Sequence, residues 1–210
     1  MLREMLHAFV EYKKLSIVFA VAVVLMIFGW IMAARSIRKR NRERDAVLEK
    51  LRQERALRQR FADLTAEKAM QADGKELLHA LALQIQSELE KESDMDAAYI
   101  NLPAEKQYIY ALNFLLCEDA ETVSQFFRLN GAPLTDAVLA GARAMFDAEH
   151  LSLMEKAYKM FDSNDETTSA LPADIRALDA AFGENTDVLF RSIRQYIAEH
   201  TQIFVYHLEG

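Results

Sequence analysis

The sequence predicts an all-α fold in three parts: a single N-terminal transmembrane helix, a basic helical stalk, and an acidic helical bundle domain. Three observations carry this. Leu15 to Ala34 is a run of 20 residues without a charge. Residues 35–72 contain neither Pro nor Gly. From Lys75 onward, apolar residues recur three and four apart, the spacing of helices buried along one face. The expected parts are a short tail (1–14), the transmembrane helix (15–34), the stalk (35–74) and the domain (75–210).

The apolar run comes first. As a helix it spans roughly 30 Å, the thickness of a bilayer core. Its eleven Leu, Ile, Val and Phe residues favour insertion by roughly 3–6 kcal/mol at most. Trp30 stands near its end, where an interfacial aromatic belongs. A cleaved signal peptide has a shorter apolar core and a small-residue cleavage site. Here the run leads at once into Arg35, Arg38, Lys39, Arg40, Arg42 and Arg44, so an uncleaved anchor is expected. The same six residues outnumber Arg3, Lys13 and Lys14 on the other flank. That bias places the C-terminal side in the cytoplasm of an inner-membrane-type, single-pass protein. The pairs Ser16/Ala20 and Gly29/Ala33 have the spacing of helix-dimer contacts but turn to different faces, so a homodimer is left open.

The stalk is rich in Arg, Glu, Gln, Ala and Leu, all good helix formers. Val47/Leu51 and Leu57/Phe61/Leu64 give too broken a repeat for a coiled coil. No aromatic residue interleaves the Arg35–Arg44 cluster and no DNA-binding motif surrounds it. Its expected contact is therefore anionic lipid, at about 1 kcal/mol per basic residue near the surface, and not nucleic acid. Asp73-Gly74 is expected to break the helix.

Three prolines divide the acidic domain. Pro103, Pro133 and Pro172 each open a new periodic stretch, with Glu105, Asp136 and Asp174 close behind. Proline loses no hydrogen bond in a first turn, and an acid suits the positive end of the helix dipole. The stripes are Leu78, Leu81, Ile85 and Leu89; Tyr108, Leu112 and Leu115; Leu134, Val138, Met145 and Phe146; Leu151, Met154, Tyr158 and Phe161; Ile175, Leu178 and Phe182. A long last helix is expected from Val188 or Leu189 through Ile193 and Tyr196 to Ile203. Ile203–Tyr206 is a weak strand candidate that reads better as its frayed end.

Composition and charge then bound the function. At 51% apolar and 27% charged, the chain is not a disordered one. One Cys excludes a disulfide framework and a four-Cys zinc site. His7, His79, His150, His200 and His207 form no HExxH motif, and His200/His207 lack a Cys pair that would complete a metal site. Cys117 has no adjacent base and reads as a structural thiol. Asp162, Asn164 and Glu166 imitate a calcium loop, but Thr167 and Ala173 stand where Gly and Glu are required. Neither a phosphate loop nor a nucleophile elbow is present, so no cofactor, metal or enzymatic activity is expected.

What remains is carboxylate. Residues 1–60 hold 14 Lys+Arg and 6 Asp+Glu, whereas 61–210 hold 11 and 26. Two clusters stand out: Glu118, Asp119 and Glu121, and Asp162, Asp165 and Glu166. An acidic surface keeps a protein soluble, and it also meets basic partners.

The run from Leu102-Pro103 through Gln125-Phe126-Phe127 and Asn130 to Phe161, followed by ADIRALDAAFGENTDVLFRSIRQYIAEH, resembles the helical DNA-mimic protein family. The likeness covers roughly residues 77–200, and the order of Gln125, Phe126, Phe127 and Asn130 is its most specific part. One departure is clear: the family's Asn-Gly-Gly-Phe before this segment is replaced by Asp119-Ala120-Glu121-Thr122-Val123. The resemblance implies an all-helical, often dimeric domain whose carboxylates imitate DNA phosphates, either sequestering a DNA-binding protein or neutralising a toxin as an immunity protein. A third expectation is a scaffold subunit of an inner-membrane complex, in which the acidic face is dispensable. In the first two, the partner is a basic protein and the chain itself touches no nucleic acid.

Overall fold

The structure, a computed structural model, describes Tyr12 and residues 44–117, 122–161 and 172–204. The expected span 15–34 lies outside these residues. Among the described residues no helix is long and apolar enough to cross a membrane. All regular structure among them is helical, as the spacing predicts.

The chain divides into two compact units, Met1–Gln53 and Glu54–Gly210. The boundary falls within the first helix, α1 (44–60). In the first unit, residues 44–53 are helical and exposed, with Arg52 and Glu49 paired across one turn at 3.7 Å.

The second unit begins earlier than the expected residue 75. After Arg60 the helix stops, and Phe61, Leu64, Ala69 and Ala72 join the core. Thr65 restarts the chain as α2 (Ala66–Gln71) by accepting the Lys68 N–H on its hydroxyl at 3.2 Å. Asp73-Gly74 then starts a helix as well as ending one. The Asp73 carboxylate accepts the N–H groups of Lys75 (3.0 Å) and Glu76 (2.9 Å), capping α3 (Gly74–Leu89).

α3 is the centre of the domain. Leu77, Leu78 and every residue from Ala80 to Ile85 are buried, so the helix is covered on all sides. Around it stand α4 (Met95–Ile100), α5 (Ala104–Leu116) and α10 (Thr186–Glu199). α7 (Leu134–Met145) packs on α5, and α2 on α10. Two glycines permit these approaches. A Cβ on Gly74 would lie 2.7 Å from the Phe190 Cβ, and one on Gly141 would lie 3.0 Å from the Tyr108 Cβ.

The remaining helices, α6 (Val123–Leu129), α8 (Ala148–Phe161) and α9 (Pro172–Phe182), touch one another pairwise, and α8 also meets α7. Members of the expected stripes point inward: Leu112, Val138, Met154, Leu178, Leu189 and Ile193 are all almost fully buried, and in the last helix Ile197 is buried in place of the expected Tyr196, which is only half-buried. The choice between Val188 and Leu189 falls on Leu189, since Val188 is 40% exposed. The last helix ends at Glu199, short of the expected Ile203. A 3₁₀ turn, Thr201–Ile203, follows and brings Phe204 into the core.

Candidate protein-interaction surface

The six candidate carboxylates occupy residues 118–121 and 162–171, outside the described residues. Those two stretches hold six acids and no basic residue. The residues bordering them are described, and they belong largely to one group of helices.

The first stretch begins after Cys117, the C-cap of α5, whose Sγ lies 3.8 Å from the Lys75 carbonyl. It ends at α6, and that end is fixed twice. The Thr122 hydroxyl accepts the Gln125 N–H at 3.2 Å. Asp179 of α9 then accepts the Ser124 N–H at 2.9 Å and its hydroxyl at 2.6 Å. A carboxylate accepting two bonds from one residue is a strong, directional tie.

The second stretch begins after Phe161, the last residue of α8. The Phe161 ring stacks on Phe127 of α6 (5.9 Å, interplanar angle 1°), and the Arg128 guanidinium lies 5.9 Å from its centroid. The stretch ends at Pro172, the first residue of α9. Three of the four bordering ends therefore lie on the α6–α8–α9 trio.

The motif residues serve this scaffold. Phe126 is fully buried and Phe127 nearly so, with their rings edge to face at 5.3 Å. Asn130 closes the other end of α6 by donating its side-chain amide to the Phe126 carbonyl at 2.9 Å. Gln125 is half-buried on the same helix.

Two features escaped the sequence reading. The first is a further acidic stretch from the end of α3 into the first turn of α4, where Glu90, Glu92, Asp94 and Asp96 are all exposed around a single Lys91. Its alternation of acids was visible, but Asp94 doubles as the α4 N-cap, accepting the Ala97 N–H at 3.0 Å. The second is His150, weighed above only as a metal ligand. It is 2% exposed, with Nδ1 2.7 Å from an Asp147 carboxylate oxygen and Nε2 3.0 Å from the Glu184 carbonyl. Each ring nitrogen therefore faces an oxygen from a different part of the chain. The ring ties the start of α8 to the α9–α10 corner, where Asn185 takes a left-handed conformation (φ 54°).

That tie favours the charged form of Asp147. Burial opposes its charge, but the hydrogen bonds from His150 and Glu149 and the His150 ring itself hold its carboxyl below the usual range. Burial, then Tyr110, raises the Tyr99 hydroxyl. Burial, then Glu105 and Tyr108, raises that of Tyr196.

The other expected positions are plainly placed. His79 Nδ1 lies 3.1 Å from the Asn113 amide oxygen. His200 donates from Nδ1 to the Tyr196 carbonyl at 2.8 Å and stacks on that ring; His207 is outside the described residues. Among the described residues no group of three His, Cys, Asp or Glu side chains is placed to hold a metal ion. Asp136 accepts the Tyr158 hydroxyl at 2.8 Å. Of the basic cluster, Arg35, Arg38, Lys39, Arg40 and Arg42 lie outside the described residues, and Arg44 is exposed on α1.

No family model, curated protein or solved structure matches the chain.

Proposed function

We propose that this is a non-enzymatic binding protein, held at the inner membrane by its N-terminal helix, whose cytoplasmic acidic domain binds and sequesters or inhibits a basic protein. One observation supports it most. Two stretches carrying six acids and no base are bordered by ends that lie largely on one trio of packed helices. Clustered carboxylates complement Lys and Arg by charge, which favours encounter with a basic partner. The resemblance to DNA mimics favours a DNA-binding protein as the partner, and an immunity role against a toxin is the second form of the same chemistry. A scaffold subunit of a membrane complex is the competing reading.

The test is a pull-down from native membranes with the full chain, washed through a salt series and read by mass spectrometry. A basic partner that elutes as salt rises supports the proposal, and its identity separates the DNA-binding from the toxin form. A second arm replaces Glu118, Asp119, Glu121, Asp162, Asp165 and Glu166 with their amides. Binding weakened by about 100-fold or more, about 2.7 kcal/mol, supports charge recognition. Undiminished binding, or only membrane subunits held through high salt, overturns it in favour of the scaffold.

A further inference from the structure

The face of α1 between residues 44 and 53 is not that of an ordinary solvated helix. Val47 is 58% exposed, Leu48 47% and Leu51 53%. At about 100° per residue, the three fall within an arc of about 100°. Arg44 falls within the same arc, one turn earlier. Lys50 and Arg52 flank the arc on its two sides, with Asp45 about 20° and Glu49 about 60° past Arg52. Glu49 is drawn to Arg52 at 3.7 Å. This is the pattern of a helix lying in a membrane interface: a shallow apolar strip with Arg44 on the same face one turn earlier, Lys50 and Arg52 at its sides, and Glu49 on the opposite face.

Charge decides between occupants. Residues 35–53 hold Arg35, Arg38, Lys39, Arg40, Arg42, Arg44, Lys50 and Arg52 against Glu43, Asp45 and Glu49. A second copy would bring an equally basic strip against this one, whereas anionic phospholipid headgroups complement it. We propose that the 44–53 segment of α1 lies on an anionic bilayer surface. Val47, Leu48 and Leu51 enter the acyl boundary there, and Arg44, Lys50 and Arg52 sit at the phosphates, their aliphatic stems covering the strip's edges. This rests on the anchor proposed above, which holds the segment near the bilayer.

The experiment uses the full chain in nanodiscs of phosphatidylcholine with or without phosphatidylserine. Spin labels are placed one at a time at V47C, L48C, L51C, E49C and F28C, in a C117S background. Collisions with oxygen report lipid, and collisions with a water-soluble nickel chelate report water. In serine-lipid discs, labels at 47, 48 and 51 should gain oxygen accessibility and lose nickel accessibility about threefold or more relative to position 49. That contrast should shrink without the anionic lipid. Equal nickel accessibility at all four positions, with the position 28 label embedded, overturns the surface-lying helix alone. A water-exposed label at position 28 overturns the anchor itself. Protection from both reagents with spin–spin broadening assigns the strip to a second copy and overturns the lipid.

Discussion

α3 and α6 are held in place by different physics. α3 is 16 residues long and buries its Leu, Ile and Ala residues on every side, so many small dispersion and hydrophobic terms position it. α6 has seven residues, too few to be helical alone. A handful of side chains position it: Asp179 of α9 at its start, its own C-cap Asn130 at its end, and Phe161 and Tyr158 of α8 against Phe127. The difference teaches where this domain is open to perturbation. The helices around α3 are held mainly by buried apolar faces, while the trio bordering the two acidic stretches leans on a few named side-chain contacts.

The largest expected effect tests whether α6 still shares the common core. Phe126→Ala removes a fully buried ring and should destabilise the whole domain by about 3–5 kcal/mol, read as a shift of the urea midpoint. A loss below about 1 kcal/mol would mean that α6 is peripheral and the two regions are independent.

Next, Asp179→Ala leaves the Ser124 N–H and hydroxyl without their acceptor. The expected cost is about 1.5–3 kcal/mol. Hydrogen exchange should show amides of α6 and α9 losing protection while those of α3 and α5 keep theirs. Uniform loss would erase the contrast between the regions.

Gly74→Ala probes the other side. The new Cβ would meet Phe190 Cβ at 2.7 Å and its carbonyl oxygen at 3.0 Å, forcing α3 and α10 apart. The expected loss is about 1–3 kcal/mol. Here the protection should fall in α2, α3 and α10 and spare α6.

The smallest effect is a pH dependence. The carboxyl of Asp147 is held below its unfolded value, so its contribution is complete above the ordinary carboxylate range. That contribution is lost as pH falls through the lowered value. In Asp147→Asn, this part of the acid-side loss should vanish from urea midpoints measured from pH 6 down to pH 2. An unchanged pH profile would sever His150 from the trio's stability.

Much of this was legible beforehand, because helical periodicity and proline punctuation are local. Pro103, Pro133 and Pro172 mark the starts of α5, α7 and α9 for backbone reasons that need no tertiary partner. Phe61 and Leu64 show the limit. Their spacing continues that of Leu57, yet the chain turns there, because burying both in the common core outweighs one more turn of exposed helix. Likewise Val47 and Leu51 are spaced like core residues but stand exposed. Periodicity names the apolar face of a helix and not what covers it.

The candidate surface divides the same way. The sequence by itself determined the all-helical class, the apolar and basic front, the acidic back, and the two stretches of acids without a base, since composition and local spacing settle these. Only the tertiary structure decided that Asp179 reaches 55 positions back to Ser124, and that His150 joins Asp147 to Glu184 across 34. Only it decided that Phe161 stacks on Phe127. Those pairings depend on where helices cross, and a crossing is chosen by how all the buried faces fill space together.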